Sequence, residues 1–212
     1  MNKTAELVRI WADFEMRYPE AGIDDFCRHY LASSKKKPNT ENFFEGEAPP
    51  RKDIILIKLI DRIARMHKIY IDLALKKIKL NHFEEFNLLS AIGSLKNPRK
   101  TEVIYHTITE LSTGLQLLGG LLKQGLITEK DDPEDRRSKR LSLTPKGGKL
   151  LQTCYVQFSK IPEMMLMEMP KEDIDICIQL LKNVHAKFSG LWQQHKTKSF
   201  DEVYQSISGK SK

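Results

Sequence analysis

The stretch 123–149 constrains the fold of this chain more than any other part of the sequence. A short apolar run at 126–127 leads into a charged turn at 132–135, and an alternating apolar segment returns at 141–143. Alternation on both sides of a turn rich in aspartate and proline predicts a β-hairpin. The Thr-Pro pair at 144–145 indicates the start of a helix, because threonine caps helices well and proline suits their first position.

The returning half of this hairpin is strongly basic. A ribbon with a concentrated positive edge suits a groove of double-stranded DNA, because each neutralised phosphate releases counterions. A solvated hairpin is the alternative, since many charge runs only face water. The net charge of +7 also favours polyanionic partners. The stretch 136–149 holds six cations and no acid, the cations being Arg136, Arg137, Lys139, Arg140, Lys146 and Lys149.

Composition excludes several classes of protein. No apolar run approaches the roughly 20 residues that a membrane span needs, and the N-terminal sequence lacks the core of a signal peptide. The three cysteines are far apart and odd in number, so they predict no disulfide framework. We expect a cytoplasmic protein. Cys154 and Cys177 lie on apolar helical faces and are expected to be buried and inert, whereas Cys27, beside Arg28 and His29, remains a candidate reactive thiol.

Periodicity and composition divide the chain into four segments. Residues 1–34 contain two amphipathic helical patterns and are predicted to form an N-terminal extension. Residues 35–51 include a lysine run and three prolines, which is typical of a linker or long loop. Residues 52–195 carry the main domain, and residues 196–212 form a polar C-terminal tail.

The main domain is predicted to be mainly α-helical, with the hairpin as its small two-stranded sheet. A long helix at 52–80 is apolar on more than one side, which favours contact with a second subunit; burial within one core is the alternative. A helix at 82–95 precedes two short helices at 100–108 and 111–124, and the last long helix occupies 172–194. A helix pair followed by a hairpin is the plan of a winged helix-turn-helix.

The hairpin also resembles a known family. Its pattern is similar to the wing of the MarR family of dimeric winged-helix transcription regulators. The resemblance implies a DNA-binding head, a helical dimerisation region made by the first and last long helices of the domain, and a place for a small-molecule effector. It does not extend to the first fifty residues. The residues that carry it are Lys123, Gly125, Leu126, Ile127, the run 132–137, Ser138, Lys139, Arg140, Leu143, Thr144 and Gly147.

In winged-helix geometry the helix at 111–124 enters the major groove, with its N-terminal residues towards the base edges. Leu111, Leu115, Leu118 and Leu122 are predicted to form its buried face. Gly119-Gly120 is predicted to allow close approach of another backbone or of DNA. The predicted DNA contacts are Gln116 to adenine, Ser112 and Thr113 to a base or phosphate, and Lys123 to a phosphate.

The resemblance also implies roles for the wing. An arginine of the wing, Arg137 or Arg136, would insert into the minor groove, steadied by Asp135. The alternative is that Asp135 only caps the turn. Lys139 and Arg140 would follow the phosphates, as would Lys146 and Lys149 from the next helix.

The function predicted from the sequence is therefore sequence-specific DNA binding by a transcriptional regulator. We expect a repressor that acts as a homodimer on an inverted-repeat operator and is released by a small ligand. The alternative is a winged-helix protein-interaction module or a weakly specific DNA-binding protein. The sequence predicts no enzyme, no cofactor and no metal site, since it has neither a phosphate-binding glycine loop nor a close-spaced pair of histidine or cysteine ligands.

Overall fold

The computed structural model describes residues 2–34, 51–78, 80–135 and 137–209. They belong to two compact units, residues 1–60 and residues 61–212. The predicted four-segment division stays a prediction. The described residues form ten helices and two strands: α1 Lys3–Arg17, α2 Ile23–Ser34, α3 Lys52–Leu75, α4 Phe83–Ser94, α5 Lys100–His106, α6 Leu111–Lys123, β1 Ile127–Asp131, β2 Lys139–Leu143, α7 Pro145–Phe158, α8 Lys160–Leu166, α9 Lys171–His195 and α10 Phe200–Ser208.

The first unit contains the two predicted N-terminal helices, α1 and α2. They meet through aromatic rings: Phe14 and Phe26 are buried, with ring centroids 5.5 Å apart, and Trp11 lies 4.9 Å from Phe26. Cys27 is exposed. The predicted linker at 35–51 lies outside the described residues except for its last position, Arg51.

The long helix α3 is shorter than predicted. It ends at Leu75 rather than near residue 80, because Lys77 and Ile78 donate backbone hydrogen bonds three residues back, to Ala74 and Leu75, instead of four. This tighter turn inserts Ile78 into the core. Apolar burial of this size favours ending the helix here, since a fully buried isoleucine contributes about 1.5–3 kcal/mol.

The core of the second unit lies between α4, α5, α6, the hairpin and α7. Each of these elements contributes side chains that are almost completely shielded from solvent, as their apolar periodicity predicts. Burial raises the pKa of the Cys154 thiol to about 11, so that this cysteine is inert, as expected. The most deeply buried members are Ile71 at the end of α3 and Leu88, Leu89, Val103, Ile104, Leu118, Leu121, Leu126, Ile127, Leu141 and Cys154.

The predicted hairpin is confirmed. Strands β1 and β2 are antiparallel, and their register runs from the pair Ile127–Leu143 to the pair Asp131–Lys139. A short third segment extends the sheet, since Arg99 bridges to Arg140. The fold class predicted from the sequence, mainly α-helical with a small two-stranded sheet, is correct.

The hairpin is joined closely to the helices on both sides. Gly125 ends α6 with a φ of 66°, a conformation that glycine adopts without strain. The hydroxyl of Thr144 accepts a hydrogen bond of 3.0 Å from the Gly147 N–H and so caps α7. A Cβ atom on Gly147 would lie 1.9 Å from the carbonyl oxygen of Leu126. The backbone of α7 therefore packs directly against the backbone of Leu126, the residue before β1.

Two long helices expose apolar side chains. No residue of α9 is buried, and Ile178, Leu181, Val184 and Phe188 are between 40% and 56% exposed. Cys177 is therefore exposed, and its predicted burial is wrong for the single chain. The helix α3 likewise exposes Ile57, Ile63 and Ile69, among others.

The predicted polar tail contains a further helix, α10, capped by Ser199 and Glu202. Across the described ranges, no helix is long and apolar enough to cross a membrane. The same ranges hold no group of three histidine, cysteine or acidic side chains arranged for a metal ion.

Candidate nucleic-acid interface

The position of α6 is set by one close helix contact. A Cβ atom on Gly114 would lie 2.6 Å from a side-chain carbon of Ile104, so α5 and α6 cross at this glycine. The buried face of α6 consists of Gly114, Leu118 and Leu121. The predicted burial of Leu111 and Leu115 is wrong, because the contact at Gly114 turns them outward; they are 39% and 44% exposed.

The predicted reading positions of α6 are all exposed. Ser112, Thr113 and Gln116 form the outer surface of its first turns, and Lys123 is exposed in its last turn. None of the described residues lies within 4 Å of a Cβ atom placed on Gly119 or Gly120, so these glycines make no close contact with that part of the chain. Their close approach to DNA stays a prediction.

The turn before α6 contains a strained residue. Ile108 has a φ of 53°, and its N–H and that of Thr109 close the end of α5 by bonding to the carbonyls of Tyr105 and Ile104. Glycine is the usual residue at this position of such a helix end. A β-branched side chain there is a backbone outlier, and outliers of this kind occur often at functional sites. Its side chain is 54% exposed.

At the tip of the hairpin Asp135 organises the turn. Its carboxylate accepts a hydrogen bond of 3.0 Å from the backbone N–H of Arg137 and one of 2.7 Å from the Ser138 hydroxyl. The Ser138 bond is the main cause that lowers the pKa of Asp135. Asp135 therefore caps the turn, and it contacts the main chain of Arg137. Its role in steadying an inserted arginine stays a prediction.

Arg137 is the exposed arginine of the tip. Its side chain has no hydrogen bond or ion pair to any part of the chain that the structure describes. It is therefore available to an external anion. Arg136 lies outside the described residues, and its role stays a prediction.

The start of the hairpin turn, just after β1, is fixed by a buried carboxylate. The side chain of Asp132 is completely shielded and accepts hydrogen bonds from Arg99 Nε at 2.6 Å and from Arg140 Nε at 2.8 Å. Its second oxygen accepts from the Glu134 N–H at 2.9 Å. These bonds lower the pKa of Asp132 to about 2, and the bond from Arg99 has the largest effect. Buried charges of this kind persist only when paired and hydrogen-bonded.

Arg99 was not predicted from the sequence as a partner of the wing. It lies directly before α5, and its guanidinium also reaches Glu134 at 3.4 Å. The sequence contains no sign that Asp132 would be buried, and so none that it would need a cationic partner. It also contains many cations, and nothing in it selects this one.

The other predicted wing cations are partly engaged within the chain. Arg140 also donates to the Asn97 carbonyl at 3.1 Å, and Lys139 pairs with Asp131, which raises the pKa of Lys139. Lys146 donates to the Gln124 carbonyl at 2.7 Å, at the C-terminal end of α6. Phosphate contacts by Lys139 and Arg140 stay predictions.

The comparisons with known proteins agree with this geometry. The family model described as winged helix DNA-binding domain matches residues 84–147, from α4 to the first turn of α7. An HTH-type transcriptional regulator of Staphylococcus aureus is 23% identical over 131 residues, which are 61% of this chain and 82% of the relative.

Two solved structures have a similar fold. A MarR-family transcriptional regulator from Rhodococcus sp. RHA1 matches with a TM-score of 0.58 and 17% identity, over 64% of this chain and 96% of that one. A MarR mutant from Escherichia coli in complex with operator DNA matches with a TM-score of 0.58 and 18% identity, over 63% of this chain and 95% of that one.

The fold and the matched domain define the class: the chain carries a winged-helix DNA-binding domain and has the MarR-type fold. The resemblance seen in the hairpin is confirmed at this level. The hairpin is the wing of that domain, and α6 occupies the position of its recognition helix.

Proposed function

We propose that this protein is a transcriptional regulator that binds operator DNA through α6 and the wing. The observation that carries the proposal is the pairing of two exposed features on one body. Ser112, Thr113 and Gln116 form the outer surface of α6, and the unpaired Arg137 lies at the tip of the wing. In winged-helix complexes these two positions face the major groove and the adjacent minor groove.

The relatives support this function. The Staphylococcus aureus protein bears the name of a transcriptional regulator, and the Escherichia coli structure contains operator DNA. The contacts we propose are base or phosphate contacts by Ser112, Thr113 and Gln116, a phosphate contact by Lys123, and minor-groove insertion by Arg137. Arg136, Lys139 and Arg140 supply further cations, and Asp135 shapes the turn that presents them.

We further propose a homodimer that represses transcription from an inverted repeat. The exposed apolar faces of α3 and α9 suit contact with a second copy of the chain, because such faces rarely remain open in water. Two heads would then read half-sites roughly 34–36 Å apart. A small ligand that binds one spacing of the heads better than the other would release the operator. A cytoplasmic location goes with this function and stays a prediction.

The first test removes the exposed cation of the wing. Duplexes selected from a random pool by the wild-type protein provide the probe, and affinities are measured at several salt concentrations. Arg137→Ala should weaken binding by roughly five- to 150-fold, the loss expected for one specific arginine contact of roughly 1–3 kcal/mol. The salt dependence should become shallower by about 0.9 if the contact is to a phosphate.

Arg9→Ala removes the same charge outside the winged-helix domain and is the matched control. It should leave the affinity within about two-fold. Equal affinities of the Arg137 variant and the wild type would show that the wing does not contact DNA. A wild-type salt dependence near zero would favour the alternative, a protein-interaction module, since phosphate contacts always release counterions.

A further inference from the structure

The N-terminal end of α6 has a charged contact, supplied by the residue that follows α9. Glu110 is the N-cap residue of α6, and its carboxylate lies 3.1 Å from the ammonium group of Lys196, which directly follows α9. The two residues are 86 positions apart in the sequence but belong to the same compact unit. The last turn of α9 is thus joined to the helix that carries the reading positions.

Lys196 is held in place by aromatic rings. Its ammonium group lies 4.4 Å from the centroid of the Trp192 ring, and that ring packs edge-on against Tyr105 of α5 at 6.3 Å. The Lys196 side chain is only 29% exposed, whereas that of Glu110 is 71% exposed. The cation–π contact and the packing therefore fix the position of Lys196, and the more exposed Glu110 carboxylate adopts a conformation that pairs with it.

The Glu110 carboxylate does not cap α6. The N-cap position has no side-chain hydrogen bond to the first turn of α6. Glu110 lies two residues before Ser112 and three before Thr113, where the phosphates of a bound duplex would pass. An unpaired carboxylate at that point would repel DNA, and a fixed cation beside it removes most of that repulsion.

We propose that Lys196 determines DNA affinity by acting through Glu110. It holds the carboxylate in an ion pair and so neutralises the acidic N-cap residue at the start of α6, whose first turn contains no other acid. Lys196 is a positioning residue here, and it makes no phosphate contact of its own. This inference rests on the proposed DNA-binding function.

A double-mutant cycle on the full chain tests it, with the same selected duplex and low salt. Lys196→Met should weaken binding about five-fold, the effect of roughly one charge about 4 Å away in water. Glu110→Gln should bind at least as tightly as the wild type. The double variant should return to within about two-fold of the wild type, because the repelling carboxylate is gone. Lys196→Arg keeps the ion pair and is expected to retain affinity.

Each other outcome has a definite meaning. A double variant as weak as Lys196→Met, with a salt dependence shallower by about 0.9, would show a direct phosphate contact and overturn the inference. Unchanged DNA affinity in Lys196→Met would also overturn the inference. So would weaker DNA binding by Glu110→Gln, a result that does not depend on whether the Lys196 variant is stably folded. If the wild type binds no duplex, the proposed function fails and the inference falls with it.

Discussion

At the scale of single residues, two neighbouring glycines in the first turn of α7 differ completely in their surroundings. A Cβ atom on Gly147 would lie 1.9 Å from the Leu126 carbonyl oxygen, whereas nothing lies within 4 Å of one on Gly148. The glycine at 147 is therefore required by the close approach of α7 to the wing, and the glycine at 148 is not.

We predict opposite effects of alanine at these positions. Gly147→Ala should destabilise the fold by about 3 kcal/mol, because backbone atoms must move to admit the methyl group. Gly148→Ala should stabilise it by about 0.5–1 kcal/mol, because alanine is the better helix former. Urea unfolding followed by circular dichroism measures both. Equal midpoints for the two variants would contradict the close approach of α7 to β1.

The roles of single residues were predictable from the sequence where they depend only on neighbouring residues. Gly125 as a helix end and Thr144 as a cap follow from residue type and spacing, and both are found. The strain at Ile108 was not predictable, because its left-handed backbone is imposed by the α5–α6 crossing rather than by its own preference. The partner of Asp132 was likewise hidden, since it lies 33 positions earlier in the sequence.

At the scale of elements, the wing depends on a buried carboxylate whose pKa lies far below its ordinary value. The pKa of Asp132 falls from 3.8 to about 2, chiefly because Arg99 donates a hydrogen bond to the ionised form. A carboxyl group with a lowered pKa in the folded state contributes stability above its unfolded pKa. It loses that contribution as the pH falls towards its folded pKa.

We therefore predict that Asp132→Asn lowers the melting temperature at pH 7. The difference from the wild type should be constant down to about pH 5 and should shrink between about pH 4 and pH 2. Thermal melts across this range measure it. Glu134→Gln is the control, because that side chain is 75% exposed and its ion pairs of 3.4 Å contribute little. A pH-independent difference would show that Asp132 acts by shape rather than by charge.

The order and type of the elements were predictable, but the rotation of α6 was not. Helix periods and turn residues correctly predicted the helix pair, the hairpin and the long helices on both sides. The leucine spacing of α6 correctly predicted the burial of Leu118 but wrongly placed Leu111 and Leu115 on the buried face. The leucines of α6 lie on two adjoining sides of the helix, and tertiary contact chooses between them. The choice was made by Gly114, which has no apolar side chain to count.

At the scale of the whole molecule, the exposed apolar stripe of α9 carries the proposal of a dimer. Leu181→Glu should raise the dimer dissociation constant by about 100-fold, because it replaces a buried apolar contact with an unpaired charge. Sedimentation equilibrium measures the change, and DNA affinity should fall with it.

Lys182→Glu on the same helix serves as the control for added negative charge. It should leave the assembly state unchanged if the stripe through Leu181 is the interface. If the wild type and both variants were monomeric at every concentration, the dimer proposal would be contradicted. The DNA-binding unit would then be a single winged-helix head.

The bonds around Asp132 have a consequence for how such a protein could be controlled. They join the segment before α5 to strand β2, so any swing of the wing against the helix pair would have to break them. With these bonds intact, the wing and the helix pair move as one body. If the protein forms the proposed dimer and binds the proposed ligand, its free and ligand-bound forms are expected to superpose well head by head and poorly as complete pairs.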